Sequence, residues 1–318
     1  MTPESVCEYL VSNQADVIKM LTEQGETMTK SMRKNLYSAL LVLYGCDNPK
    51  SGEIYDGYVK ALKGVNDAYM SEKQQQQLST SEANNWVKLS KLRSVIPIYK
   101  DSIKGIIQMT PQAVYKKWKL LDLIQKYLVA NLYVGSDALP PRRNLYANTK
   151  MIHKKDFDLL PKSIIDKTNW VIIPNKKKDR WQFVFTPENY KTGWKYGEQI
   201  IKIRTNSKLL PAFKIWDEYN ISPEQTIEID DLVFKTGRWL LINPVKKTKM
   251  AAGRLTRYIN QTFSVLGADK KIGSSTIRKI YLSELYKNDT KLSKRMKTAS
   301  KMGHDHTTAQ LHYEKKNI

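Results

Sequence analysis

Near the end of the 318-residue chain, Met302-Gly303-His304 is followed by Tyr313, nine positions after the histidine. Thr276-Ile277-Arg278-Lys279 stands 26 positions before that histidine, at the start of an amphipathic stretch. A phenol, an imidazole and a guanidinium together suit metal-free attack on a phosphodiester. A phenol with an ordinary pKa of about 10 needs cations around it to act as a nucleophile at neutral pH. A guanidinium binds two phosphate oxygens at once and keeps its charge. An imidazole donates to the same oxygens or handles the nucleophile's proton. Taken singly, each residue has a plainer reading. Tyr313 is one of 18 tyrosines, a histidine after glycine often caps a helix, and an arginine at a helix start is often a surface residue. His306 and His312 lack the cysteine or acidic partners of a zinc site.

Two further stretches supply cations: Leu139-Pro140-Pro141-Arg142-Arg143-Asn144-Leu145-Tyr146 and Asn189-Tyr190-Lys191-Thr192. With Arg278, Met302-Gly303-His304 and Tyr313, they give a pattern that resembles the tyrosine recombinase, or phage-integrase-like, family. The Pro-Pro-Arg-Arg form is similar to integrases of large DNA viruses, virophages and related mobile elements. The resemblance implies Tyr313 as nucleophile, with Arg278, His304 and a first arginine stabilising the transition state. Arg142 is that first arginine by its place in the motif, with Arg143 as the alternative. It also implies a general-acid lysine from a β-hairpin. Lys191 is the choice, Lys195 the nearest competitor, and Lys176 to Lys178 in the preceding hairpin stay open. Two positions depart from the family: Ser275 stands where a histidine is usual, and Leu145 where an acidic residue often supports the first arginine.

The activity implied is site-specific DNA recombination or integration through a 3′-phosphotyrosyl intermediate. The implied partner is double-stranded DNA, with a homotetramer acting on two DNA sites. The covalent link conserves the phosphodiester energy, so no cofactor is expected, and the Gly-rich and Walker patterns of nucleotide use are missing from the sequence. Two alternatives stand beside it: a type IB topoisomerase-like relaxation enzyme, and a DNA-binding protein with impaired catalysis, for which Ser275 and Leu145 argue.

Charge points to the same partner. Lys+Arg is 53 against 31 Asp+Glu, a net +22 spread along the chain, with basic pieces at Lys176 to Lys178, Lys246-Lys247 and Lys315-Lys316. A phosphate polyanion suits such a protein because binding releases counterions. Ribosomal association, an anionic membrane surface or a merely solvated lysine-rich face are the rival readings. Two cysteines exclude a disulfide framework. No apolar run approaches the roughly 20 residues that span a bilayer. Met1 to Glu8 is acidic where a signal peptide would be basic, so an intracellular protein acting at DNA, with no membrane partner, is expected.

The elements that must position these residues fall into two regions. Hydrophobic residues at 41% and aromatics at 10% supply real cores, and the length suggests two domains at roughly 150 residues each. Helical spacing predicts helices over Ser5 to Thr22, Asn35 to Tyr44, and Glu53 to Met70 with interruptions at Gly57 and Gly64. Ser79 to Glu82 predicts a helix start, with Trp86, Leu89 and Leu92 as its apolar face. Pro111 opens a helix running from Gln112 to Val134. Strands are predicted over Asn169 to Pro174, Trp181 to Thr186 and Gln199 to Ile203. Further helices are predicted over Leu209 to Tyr219, Lys249 to Leu266, Ser274 to Tyr286 and Lys291 to Met302. The expected architecture is mainly α with a small antiparallel β-sheet (α+β). The family resemblance makes 1–110 a helical core-binding, DNA-clamping domain and 111–318 a mixed catalytic domain.

Overall fold

The computed structural model describes residues 3–23, 28–47, 50, 52–109, 114–135, 139–176, 180–287 and 290–316. It divides into two compact units, Met1–Gln77 and Leu78–Ile318.

In the first unit, apolar residues three and four apart make four helices: α1 (Pro3–Ser12), α2 (Gln14–Glu23), α3 (Lys30–Asp47) and α4 (Glu53–Gln74). Their inner faces meet in a small core of Leu10, Val17, Leu21, Tyr37, Tyr44 and Tyr58. The Tyr58 hydroxyl, buried there, donates to the Leu10 carbonyl at 2.9 Å. The single helix expected over Ser5 to Thr22 is two. They part at Asn13, whose side-chain amide donates to the Tyr9 carbonyl, the local competition that makes Asn a poor helix-interior residue. Conversely, α4 runs through Gly57 and Gly64 without a break.

The second unit begins earlier than expected. Its first helices are α5 (Thr80–Asn85), α6 (Leu89–Arg93), α7 (Val95–Met109) and α8 (Val114–Val134). The boundary expected at 110/111 lies inside this unit. Val87, Leu89, Leu92, Val95, Tyr99 and Ile103 are buried in the same core as Leu121, Leu128 and Leu132 of α8. Tyr99 also donates to the Thr262 carbonyl at 2.6 Å. The Ser79/Glu82 capping box is present, but α5 stops at Trp86, whose ψ of 134° is extended. The expected helix start at Pro111 lies outside the described residues. So do Lys177 to Asp179 of the first hairpin.

Six strands follow: β1 (Thr149–His153), β2 (Asn169–Ile173), β3 (Gln182–Phe185), β4 (Gln199–Lys202), β5 (Gln225–Ile229) and β6 (Leu232–Trp239). They form one sheet in the order β4-β3-β2-β1-β6-β5. The small antiparallel sheet expected is therefore larger and mixed, because β1 pairs parallel with β2 while the other pairs are antiparallel. A parallel neighbour needs a crossover, supplied here by two short helices, α9 (Lys154–Phe157) and α10 (Lys162–Ile165). These cover one face of the sheet, where Ile152, Trp170, Ile172 and Val184 pack with Leu160 and Ile164. The opposite face, with Met151, Val171, Ile173, Phe183 and Phe185, joins the main core. Burial on both faces explains why β2 is one unbroken apolar run after Asn169.

The remaining helices are α11 (Gly193–Tyr196), α12 (Leu209–Tyr219), α13 (Ala252–Phe263), α14 (Ser274–Lys287), α15 (Leu292–Lys301) and α16 (His306–His312). The chain is thus mainly helical, of the α+β class. Among the described residues, no helix is long and apolar enough to cross a membrane.

Candidate active site

Arg142 and Arg143 follow α8 in the loop that leads into the turn of helix at Asn144. Arg142 turns inward and is fully buried, its guanidinium carbon 3.6 Å from the centre of the Phe185 ring on β3. Its Nη2 donates to Gln199 Oε1 of β4, and Gln199 Nε2 donates to the Ser300 carbonyl at 3.1 Å. Phe185 and Gln199 are register partners, so one cross-strand pair grips the arginine by face and by edge. Leu145, where an acidic support was considered, packs against the apolar core instead, and Gln199 takes the supporting role. Arg143 turns outward, and its Nη2 donates to the Tyr313 hydroxyl at 3.4 Å.

Arg278 lies near the start of α14, on the face turned into the core. Its Nη2 is 2.7 Å from His304 Nδ1, and its guanidinium carbon is 4.4 Å from the centre of the Tyr313 ring. His304 sits in the turn between α15 and α16. Gly303 makes that turn with a φ of 75°, a left-handed conformation that a side chain would strain. Asp305 then caps α16 by accepting from the Thr308 N–H at 2.7 Å. After the seven residues of α16 the chain ends the helix at Tyr313, whose ring lies 5.0 Å from that of His304 at 25°. Ser283 of α14 fixes the tyrosine's backbone: its hydroxyl donates to the Tyr313 carbonyl at 3.3 Å and accepts from the Lys315 N–H at 2.8 Å.

Burial pulls both Arg142 and Arg278 down to about 10, which leaves them charged at neutral pH. Burial, then the charges of Arg278 and Arg143, push His304 down to about 3, so its ring is neutral. A guanidinium has only donors, so His304 Nδ1 accepts from Arg278 and the ring proton is assigned to Nε2. That Nε2, with Arg142 Nε and Nη1 and Arg278 Nε, is buried with no hydrogen-bond partner among the described residues. No carboxylate pairs with Arg142 or Arg278 among them. Buried, unneutralised guanidinium groups are costly unless an anion completes them. The chemistry this arrangement can do is to hold an anion by several convergent N–H donors beside a phenol.

The structure therefore brings Arg143, Arg278 and His304 onto Tyr313, with Arg142 electrostatically coupled to Arg278 behind them. It does not bring Lys191 onto them. That side chain is exposed in the β3–β4 connection and makes no hydrogen bond or ion pair with the cluster. Its neighbours do reach the cluster's rim: Thr192 Oγ1 donates to the Gly303 carbonyl at 2.7 Å, and Tyr190 lies close enough to Arg142 to shift its charge equilibrium. Lys195 approaches the Asp305 carboxylate at 3.8 Å, and Lys176 is exposed in the β2–β3 turn. One member had no sequence assignment: Gln199 could have been found only from strand register. Compared with family models, with curated proteins and with solved structures, the chain matches none.

Proposed function

We propose that the chain is a DNA breaking-and-rejoining enzyme of the tyrosine recombinase type, acting as an integrase or excisionase of a viral or mobile element. The observation that carries this is the convergence on one phenol of Arg143, Arg278 and His304, which lie far apart along the chain. The buried, unpartnered N–H groups behind it suit the non-bridging oxygens of a phosphodiester. The net charge of +22 suits the duplex around it.

Tyr313 Oη attacks the scissile phosphorus while the bond to the 5′ oxygen breaks, leaving a 3′-phosphotyrosyl link and a free 5′-OH. The phenolic proton leaves to solvent, and Arg143 holds the developing phenolate. Arg142 and Arg278 hold the equatorial oxygens of the transition state. His304, neutral, acts as an Nε2–H donor rather than as a base, which fits a site with Ser275 where a second proton-handling group is usual. The leaving oxygen takes its proton from a lysine of the 191–195 turn, Lys191 by its motif. A 5′-OH from a second duplex reverses the steps and reseals the strand. Four protomers on two duplexes complete an exchange, and the helical N-terminal region serves as the second grip on DNA.

The test uses nicked duplexes drawn from the DNA that flanks the gene, which trap a covalent intermediate when the short 5′ strand diffuses away. Wild-type protein is expected to form an adduct stable to denaturant. Tyr313→Phe is expected to form none while still binding DNA. An adduct with the Phe variant, or none with wild type, refutes the reading. Relaxation of a supercoiled plasmid without any strand exchange would assign the same chemistry to a topoisomerase instead.

A further inference from the structure

The β3–β4 connection carries a feature that the phosphate chemistry does not use. Among the described residues, the indole of Trp194 in α11 is the most exposed large apolar side chain, at 84%. The turn that presents it is tightly built. The Tyr190 hydroxyl donates to the Gly197 carbonyl, and the Gly193 N–H donates to the Tyr190 carbonyl at 2.9 Å. Gly193 is packed so closely that a Cβ there would fall 1.8 Å from the Pro187 carbonyl oxygen. Two contacts then tie the turn to the residues on either side of His304. Thr192 Oγ1 donates to the Gly303 carbonyl at 2.7 Å, and Lys195 Nζ lies 3.8 Å from the Asp305 carboxylate. Lys191 and Lys195, both exposed, stand three positions before and one position after Trp194 in the same turn.

Tryptophan is usually drawn largely out of water, yet this one is held in it by a braced turn at the rim of the cationic cluster. An exposed aromatic face beside a cationic cluster is an arrangement that receives an unstacked base next to a bound phosphate. A second copy of this chain fits less well, because both surfaces would carry the same positive charge.

We propose that Trp194 stacks on a DNA base unstacked beside the phosphate held by Arg142, Arg278 and His304. The proposal rests on the strand-transfer reading above. It assigns the 190–197 turn the task of holding the strand end next to the cut.

The experiment measures binding of the full chain to a labelled mixed-sequence duplex with a one-nucleotide gap, for wild type, Trp194→Phe and Trp194→Ala, over a range of salt. Loss of stacking is expected to weaken the Ala variant by at least about 5-fold. The Phe variant is expected to keep most of the affinity, and the salt slope to stay unchanged because no phosphate contact is lost. An Ala variant that binds as tightly as wild type overturns the proposal while leaving the enzyme reading intact. So does a DNA-free dimer of wild type that the Ala variant loses, which would give Trp194 to a second copy. Failure of wild type to bind the duplex at all, together with no covalent adduct in the nicked-substrate assay, defeats the enzyme reading itself.

Discussion

Glu82→Gln tests how the tyrosine-bearing tail is held. Glu82 stands in the first turn of α5, and its carboxylate accepts from Lys279 Nζ, from Lys315 Nζ at 3.0 Å and from the Ser79 N–H at 3.0 Å. Lys279 follows Arg278, and Lys315 lies two residues beyond Tyr313. The Glu82 and Lys279 side chains are each 18% exposed and that of Lys315 is 6% exposed, so the three charges are largely out of water. Burial alone would raise the Glu82 carboxyl. The hydrogen bonds from Lys279, Ser79 and Lys315 outweigh it and leave the group lowered to about 2. Against an ordinary carboxyl of about 4.5, that gap corresponds to about 3 kcal/mol of folding stability at neutral pH. Because the folded-state value is lowered, the contribution is complete above about pH 4.5 and is lost as pH falls through about 2. The assay is urea unfolding followed by tryptophan emission, which reports the Leu78–Ile318 unit because all seven tryptophans lie in it. The variant is expected to lose about 3 kcal/mol at pH 7 and about half that or less at pH 3. A loss below about 1 kcal/mol at pH 7, or an equal loss at both pH values, would refute the reasoning.

Two further outcomes follow from the same unit. Gly193→Ala must rebuild the turn around the Pro187 carbonyl, and is expected to cost about 1–3 kcal/mol in urea unfolding; a neutral substitution would show that the turn is loose. Lys150 of β1 is buried beside Trp239, with its Nζ donating to Thr236 Oγ1 at 2.8 Å; burial, then the charge of Lys249, lower it to about 8. The unfolded chain binds more protons between about pH 8 and 10.4, so wild-type stability gains a rising term there that Lys150→Met removes. Parallel stability-against-pH curves for the two proteins would contradict the placement.

Where structure follows from local periodicity, the elements lie where the sequence predicts them. The α12 helix spans the expected Leu209 to Tyr219, α14 begins at the expected Ser274, and β2 and β4 begin at the expected residues. Elements whose signal is non-local were missed. β1 is the polar-apolar run Thr149 to His153, which becomes a strand by pairing with β2 and β6. The β5–β6 hairpin turns at Asp230 and Asp231, both with positive φ, in place of the Asn-Gly pair that advertises such turns. Its strands hold exposed Leu232 and Val233, and its apolar face of Ile227, Ile229 and Phe234 is only partly buried. The early start of the second unit was likewise hidden, because nothing in Val87 to Ile103 says which core it joins.

Residue types and spacing picked out Arg278, His304 and Tyr313, and the family resemblance they carry added two adjacent arginines and a lysine in a turn after the second predicted strand. Tertiary structure decided where each of them sits. Arg142 goes inward onto Phe185 and Gln199, while its neighbour Arg143 stays exposed and reaches the Tyr313 hydroxyl. Spacing cannot express that choice, because it depends on where a strand from elsewhere in the chain leaves an aromatic face and an acceptor. The protonation of His304 is of the same kind, set by the depth of its burial and by Arg278 against its Nδ1.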